Sequence, residues 1–241
     1  TVFPMPWSLG ASWNTSLLQE VAKTVAAQAR AIGADILFAP VLNLFTDARF
    51  GRHEEGFSPD PVLTSNYARA VASGYQGSDS SQTSLANRQS PLPVDKVLAV
   101  AKHYAAYGAA AGGLNAAPAE VSERTLLEVY LAPWRSWSAN GGRGAMLSHQ
   151  TVNRIPMHAN TRLVNYTLRN KFGFGNGVTI SDCNDVGNLR LFNVAQSDAQ
   201  AAAMALRAGL DLDLVCESDA GVSGTFPALQ AALQRGLVSM A

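Results

Sequence analysis

Cysteine is almost absent. Cys183 and Cys216 are the only two, too few for a zinc pattern or a disulfide framework, so both read as free thiols, with a bond between them the lesser reading. Charge of one sign is missing as well: 18 basic and 18 acidic side chains give a net charge of zero and a pI near 6.8. That leaves no basic face for nucleic acid. Nor does any apolar run reach the roughly 18 residues of a membrane span; the Ala-rich stretches carry charges or fall in helical patterns. No internal repeat is visible. The chain opens on Thr1 with neither a methionine nor a signal peptide, as a processed or partial product would. Charge is scarce throughout, at 15% of residues against 47% hydrophobic, so a sizeable core can be buried in one large α/β domain or two small ones.

What the sequence does have is alternation. Short β-rich runs are predicted as strands over 1–4, 35–39, 97–102, 144–148, 177–181 and 210–214. Between them, amphipathic stretches predict helices over 15–32, 61–76, 122–139, 161–172, 196–208 and 225–236. Such alternation argues for an α/β fold with a parallel sheet of βαβ units. The runs Ile36-Leu37-Phe38 and Val178-Thr179-Ile180 are short and continuously apolar, as strands buried on both faces should be. Asn14 is a suitable N-cap for the first long helix and Gly33 a residue to stop it. The polar segment 77–95 reads as a surface insertion.

In parallel α/β barrels, chemistry collects where strands end at their C-termini. The residues that follow the apolar runs here are Arg52 within the segment after 35–39, then Lys102-His103, Ser148-His149, Ser181-Asp182, and Asp211 and Asp213. A carboxylate, a Lys–His pair and an Arg cluster at one mouth suit a neutral polyhydroxylated ligand, because hydroxyls bridge such groups and a carboxylate can attack an anomeric carbon. Each residue also has a plainer reading. Asp182 could cap a helix before Asn184-Asp185-Val186. Arg52 could pair with Glu54 or Glu55, and Lys102-His103 could be a surface pair at a strand end. Asp47 and Arg49 read as loop ties, and Asp211 and Asp213 as partners of backbone groups at the rim.

Five segments, in order, resemble glycoside hydrolase family 3. They are TVFPMPWSLGASWN, NLFTDARFGRHEEGFSPDP, AKHYAAYGAAAGGLNAAPAEVSERTLLEVYLAPW, GFGNGVTISDCNDV and AGLDLDL. The resemblance runs nearly the full length. It implies a (β/α)₈ TIM-type barrel over 1–241. That barrel is expected to be incomplete, because six predicted strands cannot close eight: the first unit, before Thr1, and the last strand, after Ala241, are expected to be missing. It further implies a retaining exo-β-glycosidase acting on terminal β-D-glucosyl or β-D-xylosyl residues, with no metal or organic cofactor. Asp182 matches the nucleophile that forms a covalent glycosyl intermediate. Arg52, Lys102, His103 and His149 fall where the sugar is held. The substrate would be an oligosaccharide or β-glycoside, and the general acid/base would come from a C-terminal α/β domain on the same or another chain. Secretion is expected, with N-glycosylation possible at the sequons of Asn14 and Asn165.

The sequence departs from the family's pattern in three places. Cys183 replaces an aromatic residue after the nucleophile, His149 stands where a Tyr is common, and Pro59 replaces a Glu. These substitutions keep open a second reading, a catalytically inactive barrel serving as a structural or carbohydrate-binding subunit of a larger assembly. A Schiff-base aldolase using Lys102 is a third, weakened by the lack of a phosphate-binding Gly loop with a helix start late in the chain.

Overall fold

A computed structural model describes residues 2–77, 91–216 and 225–240. Most of the expected insertion at 77–95 lies outside these residues.

The helices begin and end where local chemistry allows. Pro6–Gly10 forms a short α1. Helix α2 (Thr15–Ala31) starts at Asn14, whose Oδ1 accepts from the Leu17 N–H at 3.0 Å. It turns Leu18, Ala22, Ala26 and Ala29 inward, the spacing of one helix face. Strand β1 is Ile36–Leu37. Helix α3 (Pro61–Gln76) is capped by Asp60, with proline in its first turn and Gly77 in the left-handed conformation at its end, as these residue types favour. Strand β2 (Leu98–Tyr104) follows. The helix expected over 122–139 is realised in three pieces: α4 (Glu123–Thr125), a π-helical turn (Leu126–Tyr130) and α5 (Ala132–Ala139). Pro133 lies in the first turn of α5, where its missing N–H costs nothing. Then come β3 (Gly144–Leu147), a hairpin of β4 (Thr151–Val152) and β5 (Ile155–Pro156), the π-helical segment Arg162–Lys171, and β6 (Val178–Ile180). Helices α6 (Asp185–Leu191), α7 (Asp198–Ala208) and α8 (Leu229–Gln234) complete the described chain.

Three elements were not expected from the sequence. The hairpin turns on Asn153 and Arg154, both at positive φ, the geometry of the tightest hairpin turns reached without glycine. Helix α6 begins directly behind Asp182. Helix α1 stands immediately after the segment 1–4, which was expected as a strand: its described residues, 2–4, form none. The strand expected over 210–214 is reduced to a single bridge from Leu212 to Ile180.

The sheet is parallel, in the order β1-β2-β3-β6. Successive residues alternate between its faces. Ala99, Ala101, Ala145 and Leu147 join the core under the helices with Leu18, Tyr67, Trp134 and Trp137, whereas Val100, Met146 and Ile180 cluster on the opposite face. Burial on both faces is why β2, β3 and β6 are apolar; the run Ile36-Leu37-Phe38, expected to be buried in the same way, instead leaves Ile36 and Phe38 half-exposed at the sheet edge. Among the described residues, the sheet has β1 at one edge and the Leu212 segment at the other, and does not close on itself.

Candidate active site

The C-terminal ends of the strands bring the chemistry to one mouth. Beyond β1, the parallel bridge between Val41 and Lys102 carries that part of the chain alongside β2. This sets Asn43 against the end of β2, where its side chain binds His103 three times. Asn43 Nδ2 donates to the His103 carbonyl at 2.9 Å, and Asn43 Oδ1 accepts from the His103 backbone N–H at 3.0 Å and lies 3.0 Å from the ring Nδ1. With Nδ1 donating to Asn43, the other ring nitrogen is an acceptor. Arg52 sits 3.2 Å from that Nε2 and, as a guanidinium, can only donate to it. Burial, then the charge of Arg52, hold the His103 imidazole well below its usual pKa. His103 is therefore neutral, and its 3.5 Å approach to Asp182 is not an ion pair.

Arg52 is fixed from three sides. It grips Glu55 through Nε at 2.6 Å and NH2 at 3.1 Å, and donates to the Tyr107 hydroxyl at 3.0 Å. Lys102 Nζ is 3.8 Å from the same Glu55. Burial pushes the Tyr107 phenol up to about 12, so it stays protonated. The plain expectation for Arg52, pairing with Glu55, is thus realised inside the site. Glu55 itself carried no catalytic or binding signal in the sequence beyond that pairing.

Asp182 follows β6. Its Oδ1 accepts the Cys183 N–H at 2.7 Å and its Oδ2 lies 2.9 Å from His149 Nε2. Burial opposes ionisation, but the His149 contact and the Cys183 N–H hold the carboxyl well below the usual range. It does not cap α6: that position is taken by Asn184, at positive φ and with no side-chain cap bond. The cations Arg52 and Lys102 are committed to Glu55, and it is His149 that holds Asp182 ionised.

His149 follows β3, and its Nδ1 is 2.8 Å from Asp185 Oδ2. Asp185, 1% exposed in its side chain, also accepts from Asn188 Nδ2 at 2.8 Å. Burial disfavours a charge on His149, yet its hydrogen bonds to Asp182 and Asp185 prevail and raise it to about 9. Behind them His158 is fully enclosed and depressed by burial. Its Nε2 has no hydrogen-bond partner and stands 3.9 Å from Asp185. Asp185 and His158 were not singled out from the sequence; nothing local distinguishes them from helix-capping or core residues.

Cys183 and Cys216 are joined in a disulfide, which overturns their reading as free thiols. The bond closes because Leu212 pairs with β6, a contact that sequence separation conceals. Asn184 reinforces it, donating to the Cys216 carbonyl at 3.0 Å and accepting the Cys216 N–H at 3.2 Å. Asp211 accepts from the Thr179 N–H at 2.7 Å and pairs with Arg169, and Asp213 accepts from the Thr225 and Phe226 N–H groups. Both bind backbone at the rim. Asp47 holds Arg49 within its own loop.

The two sequons differ. Asn14 is exposed at the start of α2. Asn165 is half-buried, its Nδ2 already donating to the Arg207 carbonyl at 2.9 Å, while Thr167 of that sequon is buried. An apolar cavity of about 320 Å³, lined by Leu18, Phe38, Val41, Phe57 and Tyr75, opens beside Glu55 and Lys102. Its lining is mostly apolar, with Glu54, Glu55 and Lys102 as charged members, and does not include Asp182. Among the described residues no cluster of His, Cys, Asp and Glu is arranged to hold a metal ion, and no helix is long and apolar enough to cross a membrane.

Comparison with known proteins identifies the family. Residues 1–241 match the model of the glycosyl hydrolase family 3 N-terminal domain. The chain is similar to a β-xylosidase of Formosa agariphila, 36% identical over 218 residues that cover 89% of this chain and 29% of that protein. It is 30% identical to a periplasmic β-glucosidase of Salmonella typhimurium, over 90% of this chain and 27% of that protein. Its structure resembles that of a β-glucosidase from Erythrobacter marinus with a TM-score of 0.89 at 33% identity, covering 99% of this chain and 30% of that one. This chain therefore spans less than a third of each relative's length.

Proposed function

Since the chain belongs to glycosyl hydrolase family 3 and represents its N-terminal domain, we propose that it carries the nucleophile half of a retaining exo-β-glycosidase acting on terminal β-D-glucosyl or β-D-xylosyl residues. The observation that carries this is Asp182: a carboxylate held ionised at a strand end between His103 and His149, with Arg52 meeting His103 at the same ring nitrogen. An Asp182 oxygen attacks the anomeric carbon. The glycosidic bond breaks with its electron pair on the leaving oxygen, which takes a proton from a general acid. Water then displaces Asp182 with that group acting as base, and the anomeric configuration is retained. Arg52, Lys102 and His103 hold the sugar hydroxyls. The general acid/base belongs to a C-terminal α/β domain, whose carboxyl would stand about 5–5.5 Å from Asp182.

The barrel reading rests on the parallel sheet and its uncovered edge. Ile36 and Phe38 are 44% and 45% exposed, and the apolar cavity opens beside them. A closed barrel requires further strands and helices to cover that edge in the working protein. The disulfide fits an oxidising compartment and one relative is named periplasmic; both support a location outside the cytosol. Asn14 is the sequon that a glycan can reach there.

The test is a mechanism-based 2-fluoro glycoside applied to full-length protein, followed by peptide mapping. Labelling at Asp182, and loss of turnover of an activated aryl β-glycoside in Asp182→Asn with sugar binding retained, are expected. Labelling at Asp211 or Asp213, or an inverted product by NMR, would overturn the assignment. No turnover and no labelling would favour the structural or carbohydrate-binding subunit instead.

A further inference from the structure

We propose that His149 is the positioning residue of the nucleophile: held as an imidazolium between Asp182 and Asp185, it directs one N–H at Asp182 Oδ2, orients that carboxylate for attack and steadies it as it departs. The proposal rests on reading Asp182 as the nucleophile.

The geometry requires the charged ring. His149 has a carboxylate oxygen on each nitrogen, Asp182 Oδ2 at 2.9 Å from Nε2 and Asp185 Oδ2 at 2.8 Å from Nδ1. A carboxylate accepts but does not donate. A neutral imidazole has one N–H, so it could satisfy one partner and would turn a lone pair toward the other. Only the imidazolium donates to both. The surroundings agree. The groups facing His149 are Asp182 and Asp185 from the loop after β6 and the start of α6, His103 from β2, Tyr107 beyond it, and His158 after the hairpin. His103 and His158 are both depressed by burial, and Tyr107 keeps its proton. Of the three clustered imidazoles, His149 alone carries charge.

Asp185 sets this up. Buried at the first turn of α6 and held by Asn188, it fixes the ring plane from the far side, so that Nε2–H has one direction left to point. Cys183 N–H holds the other oxygen of Asp182. The nucleophile is thus gripped at both oxygens by donors that cannot turn away.

The two chemical steps feel the imidazolium in opposite ways. In the first, an Asp182 oxygen forms a bond to the anomeric carbon and the carboxylate loses its negative charge, so the imidazolium loses part of its partner's attraction. In the second, that C–O bond breaks, its electron pair returns to Asp182, and the carboxylate reforms beside a waiting positive charge while water bonds to the anomeric carbon and gives its proton to the base. A fixed donor aimed at developing charge speeds that second step. His149 therefore assists departure of Asp182 more than attack by it.

Two measurements on the full-length protein test this. Nitrogen-15 NMR of the histidine rings should show His149 protonated on both nitrogens at pH 7.5, titrating near pH 9, with that titration moving to lower pH in Asp185→Asn. A ring singly protonated at pH 7.5 would overturn the proposal, and this reading of the wild-type protein needs no variant to fold. Steady-state kinetics on a dinitrophenyl β-glycoside, whose leaving group needs no proton, should show His149→Phe with kcat lowered about 100-fold, kcat/KM lowered less and KM lowered, as the glycosyl intermediate accumulates. In the wild type kcat, limited by departure of Asp182, should fall as pH rises through an alkaline limb lying below 9, because the esterified Asp182 no longer supports the charge on His149, and His149→Gln, which keeps an N–H donor that does not titrate, should lose that limb. Equal loss in kcat and kcat/KM, or an unchanged alkaline limb in His149→Gln, would make the residue merely structural. If a 2-fluoro glycoside labels a different carboxylate, the nucleophile reading fails while the NMR still reports the Asp182–His149–Asp185 bridge, so the two failures are separable.

Discussion

At the scale of single residues, the site is held by matching donors to acceptors. Asn43 uses both ends of its amide on His103, and that fixes which ring nitrogen is left to accept from Arg52. His149 between two carboxylates makes the opposite arrangement, and its protonation is coupled to folding. Its pKa is raised from 6.5 to about 9 in the folded protein, so the stability it contributes is fully present below pH 6.5 and is lost as pH rises through 9. Asp182 is depressed below 3.8; its contribution is present above that pH and lost as pH falls. We expect the denaturant midpoint to decline between pH 6.5 and 9.5 by the equivalent of about 3 kcal/mol at most, and the decline to flatten in His149→Gln. Parallel curves for the two proteins would show that His149 is not raised. The sequence marked His149 as a residue after a strand and, through the family resemblance, as one that falls where the sugar is held. Its two partners lie 33 and 36 positions downstream, and nothing in a one-dimensional pattern says that an imidazole there would bridge them.

At the scale of elements, strand ends matter more than strand lengths. Strand β2 reaches Tyr104, past the expected boundary, and its pairing with β3 shifts register between Ala101 and Tyr104. Lys102 and His103 sit in that irregular stretch. The loop after β6 is tied to the 212–216 segment by the Leu212 bridge, by the Asn184 side-chain amide on both backbone groups of Cys216, by the Asn184 N–H donating to the Leu214 carbonyl and by the disulfide. The disulfide joins residues 33 apart. A loop of that size restricts the unfolded chain by about 3–4 kcal/mol. Replacing both cysteines by serine should lower stability by that order and loosen the Cys183 N–H that holds Asp182. Unfolding curves with and without reductant check it: a reductant effect in the wild type that is absent from the double serine variant is expected, and identical curves in all four conditions would mean that the bond does not form in solution. The long helices were the most legible elements. The span expected for α3 matches the observed Pro61–Gln76, because its Asp-Pro start and Gly end are local signals. The 122–139 region was legible as helix but not as three pieces, since π-turns and a proline step depend on what the helix packs against.

At the scale of the whole molecule, the described sheet is open. Ile36 and Phe38 at the β1 edge and Leu212 at the other are 44–49% exposed. A flat apolar edge invites pairing with another chain. Backbone amides along 36–41 that do not bond to β2 should exchange rapidly with deuterium in the 241-residue chain and be protected in the full-length protein. Equal protection in both would remove the case for covering strands and leave this open sheet as the native form. Glycan access is also decided at this scale. Both sequons read alike in sequence, but the half-buried Asn165 is bonded across to Arg207 after α7, whereas Asn14 stands at an exposed helix start.

Local chemistry, read from sequence alone, determined the α/β class, the long helices, the parallel strands and the placing of Lys102, His103, His149 and Asp182 at strand ends. Hydrophobic period, caps and turn residues act over a few positions, and the chain writes them plainly. The tertiary structure alone decided which charges meet. It brought Lys102 to Glu55, placed His149 between Asp182 and Asp185, closed Cys183 onto Cys216 and broke the expected 210–214 strand down to one bridge. Those outcomes depend on distances between segments far apart in the chain, and an ion pair or a disulfide is set by ångströms in space, which residue order does not record.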